Sequence, residues 1–247
     1  MSAPATNRRN GLTTVIDMIV SPSTAFANLR EAPTWGWAFL IAAVLGIIGS
    51  LMTAPTVAHV IQTTMPAQLA ANPSIAKLPP DQQQAMINNT LAISKIVAQF
   101  SFVFVVAAIL IAGLVQGLIM MIANAIGHGD GTFKKYFALS VNVSVIGLGL
   151  ASVVIGIIVL VRGPDSFDST SAVQSAVPSL ALLVPGAKGA LAGFLGTFQI
   201  FALWGTALLA LGMTGVGRIP RGVAWVTAIA MLLLYACFGA WGGAQNH

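Results

Sequence analysis

The sequence predicts an all-α integral membrane protein, with five transmembrane helices and an N-terminal amphipathic helix at the membrane interface. Of its 247 residues, 57% are hydrophobic and only 7% are charged, whereas soluble domains usually carry about 25% charged residues. Five long apolar runs contain no Asp, Glu, Lys or Arg, and a helix needs about 20 apolar residues to cross a bilayer. The runs lack the alternation of barrel strands, which favours helices.

The chain is predicted to divide into a cytoplasmic segment, residues 1–34, and a five-span membrane domain, residues 35–247. Two longer loops are predicted to lie outside, at residues 55–95 and 162–188. The five predicted spans lie near residues 35–54, 96–126, 136–161, 189–211 and 222–240.

The N-terminal segment contains two short helical patterns. Leu12, Ile16 and Ile19 recur at helical spacing, which predicts an amphipathic helix in the plane of the interface. A second helix is predicted to start where Ser21 can cap it and Pro22 suits its first position, and Pro33 is predicted to end the segment.

In the loop at 55–95, the stretch "LPPDQQQAMINN" predicts a helix start, with Asp81 as its cap. A helix from there to Ile126 would be about 65 Å long, so its polar first half is expected to project outside the membrane.

Basic residues predict the orientation, because cytoplasmic loops are enriched in Lys and Arg. Seven basic residues on one side against four on the other favour a cytoplasmic N-terminus and an external C-terminus. The seven are Arg8, Arg9, Arg30, Lys134, Lys135, Arg218 and Arg221, and the four are Lys77, Lys95, Arg162 and Lys188.

The hairpin "GHGDGTFKK", at residues 127–135, concentrates polar residues between two apolar runs. It is not the phosphate-binding loop signature, because a helix precedes it and Lys134 follows Phe133 rather than a glycine. A zinc site would need three or four ligands, and only His128 and Asp130 are present here; His59 and His247 are predicted on the opposite face. No metal and no cofactor are therefore expected.

A turn between two spans explains the same residues. Gly127 is predicted as a left-handed cap for the second span, and Thr132 as the cap of the third. The two lysines favour a cytoplasmic location and attraction to anionic lipid. The predicted surface for a partner or for lipid headgroups comprises His128, Asp130, Phe133, Lys134, Lys135, Arg218 and Arg221.

The predicted spans contain few polar side chains and no ionisable Asp, Glu, Lys or Arg. We expect them to form hydrogen bonds between helices, which contribute about 0.6–2 kcal/mol each. A transporter would instead use them to line a cavity, and Gln116, Asn142 and Gln199 are the candidates. The principal intramembrane polar residues are Gln116, Asn124, Asn142 and Gln199.

Three segments in order resemble a known family: "SPSTAFANLREAPTWGWAF", "TFKKYFALS", and "FQIFALWGTALLALGM" before "RIPRGVAW". They are similar to the five-span Yip-one domain family, named for proteins that interact with Ypt/Rab GTPases. The long leader of the eukaryotic branch is not seen, which favours the bacterial branch. The matching positions are Pro22, Phe26, Pro33, Phe133, Lys134, Phe201, Trp204, Leu209 and Gly212.

The resemblance implies a multi-pass protein of the bacterial inner membrane that in some members assists ABC-type exporters. We therefore expect a non-enzymatic scaffold or accessory protein whose partners are the lipid bilayer and either a membrane protein or a second copy, with no nucleic acid. The alternative is a small transporter or lipid-handling protein with a cavity among the spans.

Overall fold

The computed structural model describes residues 10–245, and within that range the regular elements are helices and no strand forms. Arg8, Arg9 and His247, which the sequence predictions used, lie outside the described residues. Five helices in the described range are long and apolar enough to cross a membrane, and a shorter apolar helix precedes them, which confirms the predicted fold class. These five are Gly36–Thr63, Ser101–Ile126, Phe133–Arg162, Ile200–Gly217 and Arg221–Ala244.

The first helix, α1 (Gly11–Val20), is apolar on two sides. Val15 and Met18 are buried, while Ile16 and Val20 are exposed. A helix that packs on the protein with one side and presents apolar side chains with the other is suited to the membrane interface.

The second helix, α2 (Pro22–Glu31), begins at the predicted proline and ends just before Pro33. Ser21 precedes it as predicted, but its hydroxyl pairs with the Thr24 hydroxyl at 2.9 Å instead of accepting a bond from a helix N–H. Asn28 of α2 donates to Asp17 of α1 at 3.2 Å, which joins the two helices.

The predicted loop at 55–95 is largely helical. The first spanning helix, α3 (Gly36–Thr63), continues through Pro55. The hydropathy of the sequence falls near residue 54. A fall in hydropathy marks the end of an apolar segment, but the helix itself can continue beyond it. The prediction that Asp81 caps the helix of this region is wrong: Asp81 lies in the first turn of the helix Pro80–Gln99, and Pro79 occupies the N-cap position. The helices that follow α3 are α4 (Met65–Ala71), α5 (Pro73–Ala76) and α6 (Pro80–Gln99).

The prediction of one unbroken helix into the second span is wrong, because the chain breaks at Phe100 between α6 and α7 (Ser101–Ile126). Phe100 has φ −100° and ψ 14°, outside the helical region. The Ser101 hydroxyl there lies 2.7 Å from that of Ser50, so a polar contact to α3 accompanies the break.

The third span consists of α8 (Phe133–Ser144), a π-helical segment (Val145–Leu150) and α9 (Ala151–Arg162). A short helix, α10 (Thr170–Gln174), lies in the loop that follows. The span predicted at 189–211 is two helices, because the chain breaks at 197–199 and Gln199 pairs with Ser179 in an isolated antiparallel bridge. The remaining helices are α11 (Gly189–Gly196), α12 (Ile200–Gly217) and α13 (Arg221–Gln245).

The described chain forms two compact units, and most spanning helices contribute residues to each of them. The first unit comprises residues up to Ala42 together with Ile109–Leu148 and Trp204–Met231. The second unit comprises Ala43–Ala108, Gly149–Leu203 and the residues from Leu232 onward.

In the first unit, helices α7 and α8 pack through glycines and aromatic rings. A Cβ added to Gly113 would lie 2.9 Å from the Phe137 ring, and one added to Gly117 would lie 3.1 Å from the Phe133 ring. The two rings stack with their centroids 6.1 Å apart. The GxxxG spacing of this pair therefore serves packing within the chain.

In the second unit, α11 and α13 approach so closely that backbone meets backbone. A Cβ on Gly239 would lie 2.6 Å from the carbonyl oxygen of Gly193, and one on Gly193 would meet the carbonyl of Gly239. A Cβ on Gly243 would likewise meet the carbonyl of Gly189. Two GxxxG pairs thus face each other across this crossing.

We expect Gly239→Ala to destabilise the protein by about 1–3 kcal/mol, because rigid backbone cannot move away from the new methyl group. Gly242→Ala on the same helix is the control, since nothing lies within 4 Å of a Cβ at that position. Thermal unfolding in lipid nanodiscs measures both. Equal unfolding midpoints for the two variants would contradict the close crossing.

Candidate functional site

A charged cluster joins α2 to the hairpin between α7 and α8. The Arg30 guanidinium donates two hydrogen bonds to the Asp130 carboxylate, from Nη2 to Oδ2 at 2.6 Å and from Nη1 to Oδ1 at 3.1 Å. The same Nη1 donates to the backbone carbonyl of Val216 at 3.0 Å. Two hydrogen bonds between a planar guanidinium and a carboxylate form an interaction that is both strong and directional. Arg30 therefore contacts the α7–α8 hairpin and the last turn of α12 (Ile200–Gly217) at once.

The connection between α12 and α13 completes the cluster. The Asp130 N–H donates to the Gly217 carbonyl at 2.9 Å. The guanidinium of Arg218 lies 3.7 Å from Asp130 Oδ2. Asp130 thus has contacts to α2 and to the residues after Val216, through both its backbone and its side chain.

Two residues of this cluster hold the left-handed backbone conformation without being glycine: His128, with φ 51°, and Arg218, with φ 52°. The sequence predicted Gly127 as the left-handed residue after α7, and this prediction is wrong: the left-handed residue is His128. Gly127 is needed for space, because a Cβ there would lie 2.9 Å from Pro220 Cδ. Left-handed conformations at other residues cost energy and concentrate at turns that the surrounding structure holds in place.

Below the hairpin, the Asn124 amide organises the turn. Its Oδ1 accepts from the Tyr136 hydroxyl at 2.6 Å and from the Gly131 N–H at 2.9 Å. Its Nδ2 donates to the Gly129 carbonyl at 3.2 Å. Tyr136 is fully buried, and a Cβ at Gly217 would collide with its hydroxyl. A side chain at Gly131 or Gly217 would collide with the Tyr136 hydroxyl, so glycine is the residue that fits at both positions.

The charges around Asp130 keep it ionised. Its pKa is lowered, first of all by the hydrogen bond from Arg30; desolvation is the next effect and opposes it, and the positive charges of Arg30, Arg218 and Lys135 lower the pKa further. The Asp130 hydrogen bond likewise raises the pKa of Arg30. The carboxylate is thus paired throughout the neutral range.

The remaining basic residues of the predicted surface face outward. Arg218 is 73% exposed although it lies near Asp130. Lys134 and Arg221 are exposed and Lys135 is half-buried. His128 is exposed too, and no three His, Cys, Asp or Glu residues of the described chain lie close enough together to hold a metal ion. Phe133 begins α8 directly after Thr132, whose hydroxyl makes no capping bond.

The positions that carry the family resemblance lie at packing contacts or helix ends. Phe26 is buried against Gly215, and Gly212 leaves room for the Leu139 side chain. Pro22 and Pro33 bracket α2. In α12, Phe201 is buried and Trp204 is half-buried.

Three of the four intramembrane polar residues make hydrogen bonds to neighbouring segments in the first unit. Besides the Asn124 bonds, Gln116 Oε1 accepts from the Ser140 hydroxyl at 2.6 Å, and Asn142 Nδ2 donates to the Thr34 carbonyl at 2.9 Å. Gln199 lies in the second unit, and its Oε1, like the Oδ1 of Asn142, is buried without a hydrogen-bond partner in the described chain. Gln199 lines a cavity in the second unit, and the described residues that form that cavity's wall do not include Gln116 or Asn142.

Sequence reasoning missed the two residues that organise the cluster, Arg30 and Tyr136. Arg30 was counted only as a topology signal, and it lies 100 positions from its partner Asp130. One sequence feature bears on Tyr136: it is one of only two tyrosines and lies within the "TFKKYF" segment of the family resemblance. No local pattern connects it to Asn124 across the turn.

These features define a multi-pass helical membrane protein. Its helix ends carry an Arg–Asp pair, and an asparagine–tyrosine hydrogen bond holds the turn beside that pair. The chain belongs to the Yip1 domain family, whose model matches residues 16–242. It is 28% identical over 231 residues to the "Membrane protein YknW" of Bacillus subtilis (strain 168), covering 93% of this chain and 89% of that protein. No solved structure matches the chain.

We expect Tyr136→Phe to lower the free energy of unfolding by about 1–2 kcal/mol, because Asn124 Oδ1 loses a buried donor. Tyr235→Phe is the matched control, since Tyr235 is 60% exposed. Thermal unfolding of both variants in nanodiscs gives the comparison. A Tyr136→Phe midpoint equal to that of Tyr235→Phe would show that the hydroxyl does not organise the turn.

We expect Asp130→Asn to speed amide hydrogen exchange in α2 severalfold, because Arg30 loses its charged partner. Asp81→Asn, at an exposed carboxylate of α6, is the control.

A carboxyl whose pKa is lowered on folding stabilises the fold fully when the pH is above its ordinary pKa, 3.8 here, and loses that effect as the pH falls through the lowered pKa. Corrected exchange of the wild type should therefore be the same at pH 7 and pH 5; faster exchange at pH 5 would contradict the pairing.

Proposed function

We propose that this chain is a non-enzymatic scaffold or accessory protein of the bacterial inner membrane, with its N-terminus cytoplasmic and its C-terminus external. Its binding surface would be the basic surface formed by Lys134, Lys135, Arg218 and Arg221 around the Arg30–Asp130 pair. The observation that carries the proposal is that pair, because it uses the cluster's carboxylate for structure and leaves Lys134, Arg218 and Arg221 exposed beside the half-buried Lys135.

The chemistry of the cluster supports a role other than catalysis. A general acid or base works best with a pKa near the operating pH, whereas the pKa of Asp130 is lowered by Arg30. The nearby Tyr136 hydroxyl is buried and donates to Asn124. Neither group is free to exchange a proton with a substrate.

The orientation rests on the positive-inside tendency. Arg30 and Arg218 both contact Asp130 of the α7–α8 hairpin, so these basic residues lie on one side of the first unit. Lys134 and Lys135 follow in the same hairpin. A basic side of this kind also attracts anionic lipid headgroups, by roughly 1 kcal/mol for each Lys or Arg near the surface.

The partner class follows from the family resemblance, which implies an ABC-type exporter for some bacterial members. A basic surface suits an acidic cytoplasmic loop of such a partner. The Bacillus subtilis relative carries the description of a membrane protein.

The test is co-purification from native membranes after crosslinking. We expect Lys134→Gln with Lys135→Gln to lower the recovery of an exporter subunit by about tenfold, because two surface charge pairs of up to about 1 kcal/mol each would be lost. The control is Lys77→Gln with Lys95→Gln, which removes the same charge from the 55–95 region. If the first pair of substitutions left the recovery unchanged, the proposed binding surface would be overturned. If the protein crosslinked to no exporter in its native membrane, the proposal of an exporter as the partner would be overturned.

A second function, the handling of lipids or small molecules, is favoured by one observation. The second unit contains a cavity of about 370 Å³ lined by Gln199, without Gln116 or Asn142.

A further inference from the structure

The cavity of the second unit lies where α10, α11 and the last turns of α13 meet. Its volume of about 370 Å³ falls within the range of small-molecule sites. Four of the fourteen residues that line it are the glycines of the α11–α13 crossing, which leave space because they have no side chain. The polar residues that line it are Ser171, Gln174, Ser175, Thr197, Gln199 and Tyr235.

The polar groups of the wall are hydroxyls and amides, and none of the described residues that line it is charged. An ionic ligand would enter without a compensating charge, which is costly. A neutral ligand with several hydroxyl groups would instead find donors and acceptors throughout the wall.

Gln199 is a half-buried residue of this wall with an unpaired acceptor. Its Oε1 is buried and accepts no hydrogen bond within the described chain, as is also true of Asn142 Oδ1 and Thr34 Oγ1 in the first unit, although buried polar atoms nearly always have a partner. The Gln199 backbone is held in the bridge to Ser179 and its N–H donates to the Thr197 carbonyl at 2.9 Å, so the side chain is the part that can reorient. Rotation of the Gln199 amide would bring its acceptor to a ligand hydroxyl in the cavity.

The surroundings favour a ligand presented by the membrane. In the 3-10 turn Leu180–Leu183, which precedes α11, the side chains of Leu182 and Leu183 are 70% and 75% exposed. Tyr235 and Phe238 of the spanning helix α13 are 60% and 67% exposed. Apolar side chains exposed at the end of a span are suited to lipid chains, so an acyl chain could lie on α13 while its headgroup enters the cavity.

We propose that this cavity binds a neutral, hydroxyl-rich group of one or two sugar rings, as in the headgroup of a glycosyl diacylglycerol. A free sugar has the same chemistry, and the experiment separates the two sources. The site is independent of the proposed scaffold function and uses none of the residues of the basic surface.

Two substitutions test the site without disturbing the helix crossing. Gly242→Leu places a side chain where nothing lies within 4 Å of a Cβ, in the cavity wall. Gln199→Met keeps the length of the side chain and removes the acceptor. The control is Gly222→Leu, on the same helix and with equally open space, but away from the cavity.

The measurement is native mass spectrometry of the full chain in nanodiscs of phosphatidylethanolamine and phosphatidylglycerol, titrated with diglucosyl diacylglycerol. We expect the wild type and Gly222→Leu to retain the glycolipid, Gly242→Leu to lose it, and Gln199→Met to weaken binding by about tenfold. Competition by free maltose would identify a free sugar as the source, and no competition would identify the lipid.

The proposal is overturned if the wild type retains the glycolipid no better than phosphatidylglycerol, or if both cavity variants bind as the wild type does. Thermal unfolding establishes that each variant is folded. If Gly242→Leu does not fold, Gln199→Met decides alone, because it adds no volume to the helix crossing.

Discussion

The first unit depends on a single charged contact, between the Arg30 guanidinium and the Asp130 carboxylate. A bidentate ion pair fixes both distance and orientation, and Arg30 uses the same guanidinium to bind the Val216 carbonyl. Helix α2 is thereby attached to the α7–α8 hairpin and to the last turn of α12, which lie far apart in the chain. Removing the carboxylate would leave the arginine near other cations, Arg218 and Lys135, so the pair also neutralises a region that would otherwise repel itself.

Beneath this pair, the helices satisfy their polar groups within the chain. In lipid no water is available to do so, and an unpaired polar group costs several kcal/mol. Asn124 accepts from Tyr136 and Gly131, and Gln116 accepts from Ser140. Three buried side-chain oxygens of the described chain depart from this pattern, Thr34 Oγ1, Asn142 Oδ1 and Gln199 Oε1, and of these residues only Gln199 lines the cavity of the second unit.

The two units use glycine in different ways. In the first, Gly113 and Gly117 admit the rings of Phe137 and Phe133, so side chains fill the space between helices. In the second, Gly193 and Gly239 bring the backbones of α11 and α13 together. Close backbones exclude side chains from the crossing itself but leave a hollow beside it. The same spacing of glycines therefore produces a filled contact in one unit and borders a cavity in the other.

The sequence was enough to predict the class of protein, the number of spans and the family, because hydropathy and segment order are properties of composition and spacing. It located the α7–α8 hairpin and the start of α2, where proline and glycine act locally. It did not reveal the break at Phe100 or the split of the fourth predicted span, since hydropathy continues through both. The pairing of Arg30 with Asp130 and the place of Gln199 in a cavity wall depend on the three-dimensional fold, because each brings together segments whose distance along the chain carries no signal of their proximity.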